Sequence, residues 1–241
     1  MKFEIITSFN ESYYNNIGKD CVSTWLKHWP KNMNLTCYVE DFAIENHARI
    51  NQISFDNLSN EYRNFQLSSE NERVKIFAKK AYSIIHAFEN SDADRIMWID
   101  ADVLTTNKVP LAFLESLCPD STLATFMGVW HHADKQDTAS KLFFSAETGV
   151  FVVNKNHKNF KEFAARYRQY YDEHIRENIR RFYDGEVFGA VAKEFENIAT
   201  LNDLCGDFIK NYKTPMKHTA LGEYFVHYKS KHSKIDYLDN Q

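Results

Sequence analysis

The sequence contains few of the residues that mark linkers, repeats and low-complexity segments. Its 241 residues include only seven glycines and four prolines, and this scarcity argues against flexible linkers and multi-blade β architectures. No apolar run approaches the roughly 18 to 20 residues that a membrane-spanning helix needs. No internal repeat and no clear linker is visible. A chain of this length can bury a substantial core, so we expect one continuous domain.

The sequence also lacks a C-x-x-C motif and an uninterrupted apolar segment near its amino terminus. The amino terminus carries Glu4 where a secretory signal peptide would need an uninterrupted apolar stretch. The cysteines show no C-x-x-C pair, and the ten histidines show neither H-E-x-x-H nor zinc-ligand spacing. We therefore expect a cytoplasmic protein with reduced, mostly buried thiols. The four cysteines are Cys21, Cys37, Cys118 and Cys205.

An excess of positive charge is absent as well. The formal net charge is −4 with histidine neutral, which gives no electrostatic case for a nucleic-acid partner. Any contact of this chain with phosphate groups must therefore come from a few local basic residues.

Strand and helix patterns alternate over the first hundred residues. This alternation favours an α/β fold with a mostly parallel central sheet and helices on both faces. The second half of the chain is more mixed. Hydrophobic periodicity predicts strands at 3–9, 35–39, 50–55, 95–99, 123–130, 149–153 and 224–228, and helices at 13–29, 72–88, 157–181 and 184–195.

The most informative segment is the apolar strand that ends in Asp100-Ala101-Asp102. Alternate side chains of an extended segment point the same way, so Asp100 and Asp102 can converge on one small volume. Two like charges at such a short distance repel each other strongly, so they need a cation between them or contact with water. Mg²⁺ or Mn²⁺ is the natural occupant, and open α/β sheets bind ligands at the carboxyl ends of their strands. The alternative is an acidic surface turn, where aspartate is common.

The helix predicted at 72–88 carries two cations at the border of its buried face. Its apolar stripe consists of Val74, Phe77, Ala81, Ile84 and Phe88. Arg73 and Lys80 flank this stripe, and the other two lysines of the helix fall on its outer face. A cation in such a position either pairs with an anionic group or extends its charge to water. Because this helix leads into the D-x-D strand, we consider contact with a phosphate or a buried acid.

Three further motifs place polar side chains near strand or helix ends. Thr148 and Gly149 stand at the start of the strand predicted at 149–153, where a glycine permits close approach of a ligand. Asp184 and Glu186 open the helix predicted at 184–195. His227 lies in the last predicted strand, and a neutral imidazole can complete a metal site begun by two carboxylates. Taken singly, these motifs also fit a turn that needs glycine, a capped helix start and a surface histidine.

Together and in this order, the motifs resemble those of nucleotide-sugar-dependent glycosyltransferases of GT-A fold, particularly the glycogenin-like and galactosyltransferase-like group. The order is an amino-terminal strand, a basic helix, the D-x-D strand, a strand with small residues and a glycine, an acidic helix start, and a late histidine followed by lysines. The resemblance covers most of the chain, and I-D-A-D is its specific match. Glu147-Thr148-Gly149 stands where the group usually has asparagine-serine-glycine.

The resemblance implies a single GT-A-like domain over 1–241, with a nucleotide-binding half at 1–105 and an acceptor-binding half at 106–241 that ends in a basic tail. It implies Mn²⁺ or Mg²⁺ against the donor diphosphate, with Asp100, Asp102 and His227 as the metal ligands. A carboxylate near the sugar serves as base or stabilises oxocarbenium character, and the candidates are Asp184 and Glu186. The residues expected to bind the nucleotide-sugar are Thr7, Ser8, Asn10, Arg73, Lys80, Asp100, Ala101, Thr148, Gly149 and Lys231.

The D-x-D strand and the resemblance together predict a metal-dependent glycosyltransferase of the hexosyltransferase type. Its donor is a nucleotide-diphospho-sugar, most simply a UDP-sugar. Its acceptor is a hydroxyl group on a glycan, a lipid-linked acceptor or a small molecule. A divalent ion lets an acidic protein bind such an anionic donor. Two alternatives stay open. A nucleotidyltransferase normally has a glycine-rich phosphate loop after the first strand, where this chain has only Gly18. A non-catalytic carbohydrate-binding domain with a degenerate transferase fold suits the aromatic content of 15%.

Overall fold

A computed structural model describes residues 1–69, 71–132, 142–206 and 215–228. Its strands are β1 (Phe3–Phe9), β2 (Leu35–Val39), β3 (Ile50–Ser54), β4 (Arg95–Ile99), β5 (Val103–Thr105), β6 (Thr122–His132), β7 (Leu142–Asn154), β8 (Thr200–Asp203) and β9 (Phe225–His227). Its α-helices are α1 (Glu11–Tyr13), α2 (Lys19–His28), α3 (Asn60–Ser68), α4 (Glu72–Asn90), α5 (Leu111–Leu117), α6 (Phe160–Asp172) and α7 (Asp184–Phe195). A π-helical turn (Tyr14–Gly18) joins α1 to α2, and short 3-10 helices cover Phe55–Asn57, Pro215–His218 and Ala220–Glu223.

The central sheet has seven strands among the described residues, in the order β3-β2-β1-β4-β7-β6-β8. The first four run parallel, with β1 between β2 and β4. Strand β7 is antiparallel to both β4 and β6, and β8 pairs in parallel with β6. Strands β5 and β9 form a separate antiparallel pair. The expected α/β fold, a single domain built on a mostly parallel sheet, is confirmed.

Helices cover both faces of the sheet because its inner strands send apolar side chains in both directions. In β4, Ile96 and Trp98 enter one core, whereas Met97 and Ile99 enter the other. The first core includes buried residues of α3, α4, α6 and α7, and the second includes those of α2 and α5. A strand buried on both faces reads as a continuous apolar run, as β4 does. The carboxyl ends of β1 and β4 are left as the edge at which an α/β sheet binds ligands.

The helix predicted at 157–181 is wrong in its length. Helix α6 ends at Asp172, and His174 and Asn178 adopt positive φ angles of 51° and 60°, which break a right-handed helix. Phe182 returns to the core, where its ring centroid lies 5.3 Å from that of Tyr171. A continuous helix would carry residue 182 roughly 15 Å beyond the end of α6, at 1.5 Å per residue. Core packing therefore overrides a charge pattern that continues past residue 172.

The strand predicted at 149–153 is too short. Strand β7 begins at Leu142 and pairs with β6 over most of its length. Thr148 and Gly149 therefore lie inside a strand, and the explanation of Gly149 as a turn residue is wrong. Polar residues are tolerated there because the neighbouring strand satisfies their backbone groups.

Several short elements were not predicted. Helices α3 and α5 and strands β5 and β8 are three to nine residues long, too short to show a periodic pattern. The helix predicted at 13–29 begins earlier, at Glu11, and contains the π-helical turn. All four cysteines are free and buried, as expected. No helix within the described ranges is long and apolar enough to cross a membrane.

Candidate active site

Asp100 and Asp102 lie at the carboxyl end of β4, in the tight connection to β5. The backbone N–H of Asp100 donates to the carbonyl of Gly149 at 2.8 Å, and its own carbonyl accepts from the N–H of Val103 at 3.0 Å. The Oδ1 atom of Asp100 accepts a hydrogen bond from Nε1 of Trp98 at 2.6 Å. Only 25% of the Asp100 side chain and 13% of the Asp102 side chain is exposed. The alternative of an acidic surface turn does not describe these two carboxylates.

Lys80 brings a buried positive charge to Asp100 and Asp184. Its Nζ atom donates to Oδ1 of Asp100 at 2.6 Å and lies 2.8 Å from Oδ2 of Asp184. It also donates to the carbonyl of Thr148 at 2.7 Å. Because only 10% of its side chain is exposed, the charge does not extend to water, and the helix-border cation pairs with buried acids instead.

The charges in this cluster shift one another's pKa. Burial disfavours the charged form of Lys80, but Asp100 and Asp184 outweigh burial and raise the pKa of the lysine above its ordinary value. Burial raises the pKa of Asp100, Lys80 acts in the opposite direction, and Asp102 raises it further, so the net direction is upward. Both shifts have the physical cause expected of carboxylates crowded in a dry volume.

The start of α7 packs directly against β7. A hydroxyl hydrogen bond of 2.5 Å runs from Oγ1 of Thr148 to Oδ2 of Asp184. A Cβ atom on Gly185 would lie 2.3 Å from the carbonyl oxygen of Ala146, so this approach requires glycine. Tyr183 occupies the N-cap position of α7. The carboxylate of Asp184 is therefore no helix cap, and it points into the cluster.

Strand β9 brings His227 to the two aspartates. It pairs with β5 so that His227 lies opposite Val103, and Nε2 is then 3.0 Å from Oδ1 of Asp102 and 3.8 Å from Oδ2 of Asp100. Burial alone lowers the pKa of His227, but the neighbouring carboxylates of Asp102, Glu147 and Asp100 outweigh burial and raise that pKa to about 10. Its side chain is only 7% exposed. His227 is therefore not a surface histidine.

Glu147 belongs to the same cluster and was not predicted as a site residue. Its Oε1 atom lies 3.3 Å from Nδ1 of His227 and accepts a hydrogen bond from the N–H of Gly149 at 3.2 Å. Among the described residues, Asp100, Glu147 and His227 are grouped so that one ligand atom of each lies within 4.8 Å of the others. The signal that could have found Glu147 is the period of two in a strand, which places residues 147 and 149 on one face. Because the sequence predicts a strand that begins only at residue 149, residue 147 was not recognised as part of it.

Gly149 gives the imidazole of His227 its place against β7. A Cβ atom at position 149 would lie 2.7 Å from both Nδ1 and Cε1 of His227. A glycine at this position was expected to allow close approach of a ligand. In the structure it is the imidazole of His227 that approaches Gly149 closely.

Four predicted donor-binding residues lie at the ends of β1 and β4. Thr7 is buried in β1, and its Oγ1 has no hydrogen-bond partner in the described part of the chain. Ser8 is half-buried in the same strand. Asn10 caps α1, with its Oδ1 accepting from the N–H of Tyr13 at 2.7 Å. Ala101 is buried between the two aspartates. Because β1 neighbours β4, these residues share the edge of the sheet that carries the D-x-D motif.

Two other predicted residues make their contacts outside the cluster, and one cannot be placed. Glu186 accepts hydrogen bonds of 2.7 Å from the backbone N–H groups of Arg180 and Arg181, so it fixes the segment before α7. Arg73 is exposed, and its guanidinium carbon lies 4.7 Å from the ring centroid of Tyr183. Lys231 lies outside the described residues.

The donor atoms of this cluster suit a hard divalent cation. Carboxylate oxygens are the ligands that Mn²⁺ and Mg²⁺ prefer, and histidine is a common nitrogen ligand of protein metal sites. Nε2 of His227 faces Asp100 and Asp102, so all three predicted metal ligands point toward one region. The carboxylates of Asp100, Asp102 and Glu147 surround this region, and a cation bound there would relieve their mutual repulsion.

No protein-family profile and no curated protein matches the sequence, but solved structures share its fold. The apo form of mouse xyloside xylosyltransferase 1 aligns with a TM-score of 0.53 at 12% identity, over 85% of both chains. The bifunctional glycosyltransferase WbbM aligns with a TM-score of 0.56 at 13% identity, over 95% of this chain but only 46% of its own. The mannosyltransferase Ktr4p from S. cerevisiae aligns with a TM-score of 0.51 at 10% identity, over 79% of this chain and 65% of its own. At these identities the likeness concerns the fold, and the chain has the GT-A type of mixed α/β fold that these glycosyltransferases show.

Proposed function

We propose that this protein is a metal-dependent glycosyltransferase of the hexosyltransferase type. Its donor is a nucleotide-diphospho-sugar, a UDP-sugar first of all, and its acceptor supplies a hydroxyl group. The observation that carries this proposal is the convergence of Asp100, Asp102 and His227 at the carboxyl end of β4, beside the buried pair of Lys80 and Asp184. The fold shared with solved glycosyltransferases supports it.

Asp100, Asp102 and His227 are the residues that we assign to Mn²⁺ or Mg²⁺. When bound, such an ion supplies Lewis-acid stabilisation of the negative charge on a leaving nucleoside diphosphate. The protein's part is to hold two carboxylates and one imidazole within a largely buried pocket. It does so with the β4–β5 connection on one side and with β9, paired to β5, on the other.

Lys80 positions the two acidic groups of the proposed site relative to each other. One ammonium group binds both Asp100 and Asp184, so the carboxylate on the metal side and the carboxylate of α7 are fixed together. We assign Asp184 to the sugar side, where it accepts the proton of the acceptor hydroxyl or stabilises oxocarbenium character. Glu186 supports this arrangement by holding the segment that leads to Asp184.

Both halves of the chain contribute to the proposed site. Residues 1–105 supply Lys80 and the D-x-D motif and form the proposed nucleotide side. Residues 106–241 supply Asp184 and His227 and form the proposed acceptor side. The further residues that we propose for donor binding are Thr7, Ser8, Asn10, Arg73, Ala101, Thr148, Gly149 and Lys231.

Calorimetric titration with UDP in the presence and absence of Mn²⁺ tests this function. We expect binding that depends on the metal and that is lost in Asp102→Asn, a variant that keeps the shape of the side chain. Absence of metal-dependent binding for every common nucleoside diphosphate would refute the proposal. A D102N protein that retains full donor turnover would refute the assignment of the metal ligands.

A panel of nucleotide-sugars separates the two alternative functions from this one. Metal-dependent hydrolysis of a nucleotide-sugar without acceptor, with release of the nucleoside diphosphate, identifies a glycosyltransferase. Release of pyrophosphate from a nucleoside triphosphate and a sugar phosphate identifies a nucleotidyltransferase. Binding of glycans without turnover of any donor identifies a carbohydrate-binding domain.

A further inference from the structure

Glu147 touches a proposed metal ligand, yet the proposed reaction assigns it no role. Its side chain is only 14% exposed. Its Oε1 atom, 3.3 Å from Nδ1 of His227, is the acceptor that faces this buried nitrogen. The same oxygen accepts the backbone N–H of Gly149 at 3.2 Å. The carboxylate is therefore anchored to the strand and directed at the side of the imidazole that faces away from Asp102.

The two ring nitrogens of His227 have different surroundings. Nε2 faces the aspartates, at 3.0 Å from Asp102 and 3.8 Å from Asp100, whereas Nδ1 faces Glu147. A neutral imidazole binds a metal through one nitrogen and carries its proton on the other, and the acceptor near that second nitrogen selects the tautomer. When a cation replaces the proton of Nε2, a carboxylate at Nδ1 favours retention of the other proton, so the tautomer that remains has its Nε2 lone pair on the cation.

We propose that Glu147 is a positioning residue that keeps the proton on Nδ1 of His227 and thereby presents Nε2 to the metal shared with Asp100 and Asp102. This inference rests on the metal-dependent function proposed above. Gly149 helps to keep the His227 ring in this position, because a Cβ atom at residue 149 would lie 2.7 Å from Nδ1 and displace the ring.

Direct binding of Mn²⁺, measured by electron paramagnetic resonance without any donor, tests the positioning role. We expect Glu147→Ala to weaken Mn²⁺ binding about 10- to 100-fold, the usual effect of removing an outer partner of a metal-bound histidine. Glu147→Gln keeps an oxygen that accepts the Nδ1 proton, so its loss should be clearly smaller. Glu45→Gln removes the same charge from an exposed glutamate in the loop after β2 and should leave Mn²⁺ binding unchanged.

A second variant reaches the same nitrogen without removing a ligand or a carboxylate. Gly149→Ala should push the His227 ring away from Glu147 and weaken Mn²⁺ binding to a similar degree as E147A. Thermal unfolding of each variant checks that it is folded. Should E147A not fold, the comparison of E147Q and G149A with the wild type decides the question.

Nuclear magnetic resonance of His227 gives a readout that a merely structural role would not move. In the Mg²⁺-loaded protein the ¹⁵N spectrum should show a protonated Nδ1, and the resonance of this N–H group should shift in E147A because the carboxylate that faces it is gone. In the ion-free protein, E147A should change the ¹⁵N chemical shift of Nδ1 of His227, because the carboxylate 3.3 Å from this nitrogen is removed. This last measurement needs no metal, so it tests the contact of Glu147 with His227 even where the wild type fails to bind Mn²⁺ and the proposed function falls.

Two results overturn the inference. Wild-type Mn²⁺ affinity in folded E147A shows that Glu147 positions nothing that the metal needs. Equal losses in E147Q and E147A, with the Nδ1 resonance of His227 unchanged in both, show that Glu147 binds the metal directly.

Discussion

Replacement of Lys80 tests the electrostatic core of the proposed site. Lys80→Met keeps most of the apolar stem and removes the ammonium group that binds Asp100 and Asp184 at 2.6 and 2.8 Å. Removing one partner of a buried ion pair typically costs about 3–5 kcal/mol, because the remaining charge is left unpaired. For a chain of this size about 2–4 °C of melting temperature corresponds to 1 kcal/mol, so we expect K80M to melt about 6–20 °C lower.

The loss in K80M should depend on pH in a defined direction. Without the lysine, Asp100 loses the cation that opposes the effect of burial on its pKa, so Asp100 of the folded variant binds a proton more readily than it does in the unfolded chain. The stability of K80M relative to the wild type should therefore increase as the pH falls and the carboxyl group of Asp100 becomes neutral. Thermal unfolding between pH 8 and pH 4.5, followed by circular dichroism, measures this difference.

Lys79→Met is the matched control for K80M. Lys79 lies next to Lys80 on the same helix and pairs with one carboxylate, that of Glu40, at 2.7 Å, but its side chain is 24% exposed whereas that of Lys80 is 10% exposed. A pair with that access to water contributes at most about 1 kcal/mol. A K80M protein that melts like K79M, or whose deficit is the same at every pH, would refute the reasoning that Lys80 compensates two buried carboxylates.

Three further expectations follow from single contacts. The ion-free protein should lose stability as the pH rises from about 6.5 to 10. A His227 pKa raised to about 10 in the folded protein stabilises the fold fully at pH values below the pKa of an unfolded histidine, and this contribution is lost as the pH rises through the folded pKa. His227→Ala should flatten this dependence in thermal melts, and an unchanged slope would contradict it. Gly189→Ala should cost about 1–3 kcal/mol in urea unfolding, since its Cβ would lie 2.6 Å from Cα of Ser145; unchanged stability would show that α7 can move away from β7. Glu186→Gln should speed tryptic cleavage after Arg181, because the carboxylate holds the backbone N–H of that residue at 2.7 Å; equal cleavage rates would show that the segment is held by other contacts.

The D-x-D end of β4 was predictable because its signals are local. Five consecutive residues of β4 are buried, and an apolar run of this length followed by two alternating carboxylates reads as a strand that ends at a ligand-binding edge. The helix that carries Lys80 was predicted from the same kind of signal, its 3.6-residue period. The position of Lys80 at the border of the apolar stripe is likewise a property of the helix alone.

The longer-range parts of the site show where local signals stop. His227 was singled out through a resemblance of motif order, but the pairing of β9 with β5 that places it beside Asp102 depends on residues more than a hundred positions apart. Glu147 was missed because the polar segment around it reads as a turn, and only the partner strand β6 reveals that it is part of β7. Of the two acidic residues at the start of α7, local pattern does not distinguish Asp184, which meets Lys80, from Glu186, which holds Arg180 and Arg181.

The sequence by itself determined an α/β chain with two carboxylates at the end of a buried strand and a cation on the preceding helix. Those features follow from periodicity, which acts over a few residues and needs no knowledge of distant neighbours. Only the tertiary structure decided what surrounds the carboxylates. Lys80 joins Asp100 to Asp184, and Glu147 faces the nitrogen of His227 opposite to the aspartates, because helix packing and strand pairing bring together side chains that no local pattern connects.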